Sequence, residues 1–132
     1  MSPKRDNREA GPLFPILRGE SVGHHGEFTG YAVIVKSPTQ LRREWRADHI
    51  AVLDSALKTY LSENPNEMEC LFAAVSAVLS EFGESIGDSA AMAYVNECIY
   101  IVKVSDASHV LEDGMHIRVV AHENLGEVFF ID

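Results

Sequence analysis

The sequence predicts a single domain of the mixed α/β class, and three observations carry that reading. Apolar runs of strand length, rich in β-branched and aromatic residues, recur at residues 31–35, 49–53, 99–104, 116–120 and 127–131. A stretch of helical period stands among them: Leu71, Val75, Val78, Leu79 and Phe82 recur at three- and four-residue spacing and line one face. The order is therefore strands, then helix, then strands, in a chain of 132 residues, a length that suits one core.

The elements follow in order. Residues 1–12 are polar, contain Pro3 and Pro12, and read as a disordered tail ahead of one domain over 13–132. Residues 13–17 are a lead-in segment. Residues 19–30, rich in Gly and His, read as loop with a short strand. Tyr31 opens a buried strand that Ser37-Pro38 ends. Thr39 can cap a helix from Gln40 to about Arg46. A strand at 49–53 precedes the helix expected over 66–82. Gly83 and Gly87 bracket its break. Asp88 or Ser89 starts a further helix favoured by Ala90, Ala91 and Ala93. The remaining runs are strands, with a turn at 111–114 and a loop at Asn124 and Gly126.

Composition removes several functions. The net charge is −9, and residues 59–132 hold two cations against thirteen acids, a net −11. Such a half repels nucleic-acid phosphates, so no nucleic-acid partner is expected. No run approaches membrane-spanning length, so no membrane partner is expected either. Two cysteines, Cys70 and Cys98, are too few for a disulfide framework. They read as buried small hydrophobes in a reduced, cytoplasmic protein. The one dense basic cluster is Arg42, Arg43 and Arg46 around Trp45. It reads as a solvated helix face, with Trp45 packed onto the domain or exposed as a partner anchor.

An ordered set of small motifs goes further. Gly83-Glu84-Ser85-Ile86-Gly87-Asp88-Ser89-Ala90-Ala91 leads into a helix and a strand. Asp106-Ala107, then Leu111-Glu112-Asp113-Gly114, a strand, Gly126 and a final strand follow. Earlier, Ser37-Pro38 follows a strand, and Ala47-Asp48 precedes another. Over roughly residues 17–131 this resembles the swivelling phosphohistidine domain of the phosphoenolpyruvate-utilising enzymes, the family of pyruvate phosphate dikinase and phosphoenolpyruvate synthase. The resemblance implies a three-layer β/β/α swivelling domain with a mixed sheet and two or three helices.

It also locates a site. The family's carrier histidine stands in Thr-Ser-His-Ala-Ala, where it takes up a phosphoryl group as a neutral nucleophile. Here Ser89 holds that position, Asp88 and Gly87 precede it, and Ala90 follows. The family's later Arg is Val95, and its Pro is Tyr100. A serine phosphoester is a poor onward donor, and Asp88 repels phosphate. His24, His25, His49, His109, His116 and His122 all fall outside the register. The resemblance so altered implies a stand-alone pseudoenzyme without a cofactor, acting as a non-catalytic binding or regulatory subunit. Its partner would be a nucleotide-binding subunit, a phosphoenolpyruvate-binding subunit or another protein; its oligomeric state is left open.

Two alternatives stay open. The chain could be a phosphoryl carrier that uses His24 or His25. It could instead hold a small-ligand or hydrolytic site near Ser89, with Gly87, Asp88 and Ala90 as its loop, which requires a base nearby. The plainer reading of Asp88 and Ser89 is helix capping. No metal site is expected. Adjacent His24 and His25, even with Glu27, point apart, and His116 with His122 could approach only across a turn.

Overall fold

The computed structural model describes residues 14–82 and 88–131. Seven strands run through them: β1 (Leu17–Ser21), β2 (Gly26–Val35), β3 (His49–Leu53), β4 (Ala77–Ser80), β5 (Ile99–Val102), β6 (His116–His122) and β7 (Leu125–Phe130). The helices are short: α1 (Pro38–Leu41), α2 (Lys58–Glu63), α3 (Pro65–Ala74), α4 (Ser89–Val95) and α5 (Ala107–Val110), with a 3₁₀ turn at Ser55–Leu57. None is long and apolar enough to cross a membrane. The expected tail, residues 1–12, lies outside the described residues.

The strands close into a barrel in the order β1-β5-β4-β3-β2-β6-β7. β2, β3, β4 and β5 are parallel neighbours. β6 pairs antiparallel with β2 and β7, and β1 pairs antiparallel with both β5 and β7. This corrects the expected three-layer β/β/α swivelling domain. Because β1 bonds on both sides, no open sheet remains to be layered; the fold is a closed seven-stranded mixed barrel with five short helices among the described residues.

The two halves of the wall follow different burial rules. β3, β4 and β5 are buried at every position, as parallel strands covered on both faces must be. Their alternate residues serve two cores. Ile50, Val52, Leu79, Ile99 and Ile101 point inward and meet Ile117, Val119 and Val128 inside the barrel. Ala51, Leu53, Val78, Tyr100 and Val102 point outward beneath Leu57, Leu61, Met68 and Phe72 of the helical layer. β6 and β7 instead alternate buried with more exposed positions, so that wall faces solvent.

Several local expectations are corrected. The helix expected over 66–82 ends at Ala74, where Val75 turns extended (φ −127°, ψ 161°), and β4 follows. Val75, Val78 and Leu79 have a helical spacing, but a strand buried on both faces is apolar without alternation, and the two patterns coincide over so short a run. The loop expected at 19–30 instead holds most of β1 and the first half of β2. The helix expected from Gln40 to Arg46 stops at Leu41, and its cap is Ser37, whose hydroxyl accepts from Gln40 N, with Pro38 in the first turn. Cys98 is buried as expected, but Cys70 is exposed. It sits on the solvent side of α3, whereas Leu71 faces the core.

Closure has one tight point. Gly19 and Gly126 lie opposite each other across β1 and β7. A Cβ on Gly126 would lie 2.6 Å from the side chain of Ile101, and a Cβ on Gly19 would overlap the carbonyl oxygen of Val102. Gly19→Ala should therefore lower the unfolding free energy by roughly 1–3 kcal/mol, read from urea denaturation. An unchanged midpoint would show that the seam tolerates a side chain.

Candidate functional site

Because β2 to β5 are parallel, their carboxyl ends meet at one rim. That is where ligands sit in parallel α/β sheets and barrels. The first residue after β3 is Asp54 and the first after β4 is Glu81. One Asp54 oxygen accepts Ala56 N at 2.8 Å and caps the 3₁₀ turn. The other accepts the Ser108 hydroxyl at 2.7 Å. Glu81 accepts Ser55 N at 2.8 Å with one oxygen and Ser108 N at 2.7 Å with the other. Two carboxylates thus tie together the loops after β3, β4 and β5.

The backbone bond from Ala56 holds the Asp54 carboxyl below its ordinary value of 3.8, and the Ser108 hydroxyl adds to this against the opposing effect of burial. Ser108 is buried, and its Oγ also lies 3.4 Å from Nδ1 of His109. Beside it a polar recess is lined by Lys36, Gln40, Glu112 and Asp113. Asp113 is fixed there by accepting Ile34 N at 2.6 Å.

Serine, histidine and aspartate are all present, but not wired as a triad. In a triad the histidine sits between the other two and takes the hydroxyl proton. Here the Ser108 hydroxyl bonds Asp54 directly, and a carboxylate held at low pKa is a weak base. The arrangement suits positioning of a polar ligand rather than generation of a nucleophile.

A second group of hydroxyls lies under the same rim. Ser80 ends β4, Ser89 begins α4, and both are fully buried, as is Tyr100 on β5. Burial raises the Tyr100 phenol, while the Ser89 and Ser80 hydroxyls act in the opposite sense. Ser80 Oγ accepts Phe82 N at 3.0 Å. Asp88 stands at the head of α4, yet its side chain makes no capping bond, which corrects the capping expected of it. Ala90 is half-buried behind it. Gly87 lies outside the described residues. Ser89 is thus a buried group at the rim rather than the exposed nucleophile of a cleft.

His24 and His25 are elsewhere. His24 N donates to Cys98 O at 3.0 Å, and its ring meets Tyr94 edge-on with centroids 6.2 Å apart. Both contacts lie at the far end of α4, about 10 Å along the helix from Ser89. The structure does not bring the alternative carriers to the rim. His116 and His122 occupy the two ends of β6, about 20 Å apart by strand rise, and do not converge. Among the described residues no three His, Cys, Asp or Glu side chains could hold a metal ion.

Two solved structures share this barrel. A chain of aconitase X from Thermococcus kodakaraensis, in its holo-form, superposes with a TM-score of 0.54 over 90% of this chain and 99% of that one, at 19% identity. A UPF0107 protein solved by NMR gives a TM-score of 0.60 over 92% and 100%, at 16% identity. At these identities the likeness shows the fold alone. It also corrects the sequence resemblance: these neighbours are aconitase X and UPF0107 folds, not swivelling domains of phosphoenolpyruvate-utilising enzymes. The shared motif order reflects turns and short strands that many α/β chains need. No known family model matches the chain, and neither does any curated protein.

Sequence reasoning missed Asp54, Glu81 and Ser108. The signal available for Asp54 and Glu81 was an acid directly after each of two wholly buried strands, HIAVL and AVLS. At the opposite rim, His49 opens β3 and is 8% exposed. Its Nδ1 accepts Arg46 N at 3.0 Å, and its ring meets the edge of Trp45. Burial chiefly lowers its pKa below 6.5; Arg43 and Arg46 add to this, and Asp48 opposes it.

Two outcomes follow. Ser108→Ala should cost about 1 kcal/mol and raise the Asp54 pKa toward 3.8, measured by NMR titration of the carboxyl. For His49 the unfolded chain takes up its proton first as pH falls below 6.5. Stability should therefore drop between 6.5 and the lowered native value, then stay level with respect to this group. His49→Asn, which keeps a hydrogen-bond acceptor, should flatten that step in denaturation curves taken across the range.

Proposed function

We propose that this barrel is the smaller part of a two-part enzyme of the aconitase X kind, working in the cytoplasm. It binds a larger protein and presents the carboxyl rim of β2–β5 as one wall of a shared active site. The observation that carries the reading is the convergence of Asp54, Glu81 and Ser108 from three loops onto one rim, with His109 and Lys36 beside them. Supporting it, the fold likeness covers nearly all of this chain and nearly all of the matched aconitase X chain, so the two are barrels of similar size.

The roles are those the geometry allows. Asp54 and Glu81 hold the loops, Ser108 offers a fixed hydroxyl, and Lys36 offers a cation to an acidic substrate. The proposal places no metal on this chain.

The test is purification of the tagged chain from its native cells. A stoichiometric larger partner should come with it, and the complex should add or remove water on a hydroxy acid. Ser108→Ala should leave the complex intact and lower kcat/KM about 100-fold, near 2.7 kcal/mol. A chain that stays alone, or a Ser108→Ala complex with full activity, overturns the reading.

A further inference from the structure

The loop after α1 and the solvent side of α3 enclose a groove of about 470 Å³, within the size range of small-molecule sites. Its floor is Leu41 and Leu71, both buried. Trp45 forms a wall, Cys70 and Ala74 lie along α3, and Arg43 stands at the mouth. It is distinct from the rim recess, with which it shares no lining residue, although α1 borders both: Gln40 lines the recess and Leu41 the groove.

The groove is pre-formed. The Trp45 indole N–H donates to Leu41 O at 3.0 Å, and the loop beyond it is latched by His49, which accepts Arg46 N. The charges are also fixed in different ways. Arg42 donates to the Tyr60 hydroxyl at 2.6 Å and lies 3.6 Å from Glu67, to which Tyr60 itself donates. Arg42 is thereby neutralised at the edge. Arg43 instead makes a cation–π contact, its guanidinium carbon 5.6 Å from the Trp45 ring centre. A guanidinium over a ring face still has N–H donors free to bond a carboxylate. The only dense basic cluster of a chain of net charge −9 thus sits at the mouth of an apolar groove.

We propose that this groove is a binding site for a small apolar carboxylate. Its hydrocarbon part covers Leu41, Leu71 and the Trp45 face, and its carboxylate pairs with Arg43. The apolar floor demands the tail, and the arginine selects the anion over an alcohol or an amine.

The chain supplies its own reporters. Cys70 lines the groove and is exposed, whereas Cys98 is buried and its thiol is pushed up to about 12. N-ethylmaleimide will therefore react with Cys70 alone. Trp45 is the sole tryptophan. Octanoate is the probe, with octanol and octylamine as its uncharged and cationic counterparts. Octanoate should slow Cys70 alkylation saturably, about tenfold at ten times its Kd, and shift Trp45 fluorescence with the same midpoint. Octanol and octylamine should protect at least about fivefold less well at equal concentration, a difference of about 1 kcal/mol. Arg43→Glu, a change at an exposed position, should abolish protection by octanoate without altering the unfolding midpoint. Absence of protection up to the solubility of octanoate overturns the proposal. So does equal protection by octanol, or full protection of the Arg43→Glu chain.

Discussion

A seven-stranded sheet must either leave two edges or close, and here closure rests on a five-residue strand, β1. It bonds β7 through four residue pairs and β5 through two. Without it, β5 and β7 would each expose unpaired amide and carbonyl groups, with the attendant risk of pairing to other chains. Closing so small a barrel also brings its walls close together. The interior is filled mainly by Ile, Val and Ala, and Ile101 occupies the space over the Gly19–Gly126 pair. The two glycines are the steric condition for the strand that removes both edges.

Closure decides where chemistry can sit. Helices follow the parallel strands and cover them from outside, so the loops at the carboxyl ends crowd onto one rim. Each loop start leaves backbone amides without helical partners. Asp54 and Glu81 satisfy three of them, on Ser55, Ala56 and Ser108, and Asp54 takes the Ser108 hydroxyl as well. Three of these four bonds join residues 26 to 54 positions apart in the chain. They are tertiary clamps as much as caps. α5 then seals the barrel mouth with Ala107 and Leu111, which belong to the interior core. A rim so braced holds its polar groups at fixed distances, the condition for positioning a ligand.

Most strands were legible in the residues, because runs such as 50–53 are apolar at every position and bounded by polar ones. The early strands were hidden. Gly19, Gly23, Gly26 and Gly30 read as loop, yet Gly19, Gly26 and Gly30 are in strands, and at Gly19 and Gly30 neighbouring backbone leaves no room for a Cβ. The helix-to-strand change at Val75 was hidden because four buried residues fit either period. Closure itself was not legible, since nothing local tells β1 that it pairs on two sides. Of the expected site, the start of α4 at Ser89 was legible, and Ser89 is buried with its hydroxyl against the Tyr100 phenol. The rim carboxylates were invisible because their meaning lies in amides contributed by distant loops.

The charge distribution bears on how such a rim could work. Residues 59–132 contain only two cations, Lys103 and Arg118. Lys103, just past the end of β5, lies 3.2 Å from Glu20, and Arg118 on β6 lies 3.9 Å from Glu27. Exposed pairs of this kind add little stability, but they do occupy the cations. Among the described residues the rim carries Asp54, Glu81, Asp106, Glu112 and Asp113, with Lys36 the one cation lining its recess and Lys103 already paired with Glu20. An acidic substrate would meet a field that repels it unless further positive charge came from outside the chain. A larger, basic partner face would supply that charge and would be drawn to the same rim by it. On the proposed reading, electrostatics therefore favours a site assembled between two proteins over one that this barrel completes alone.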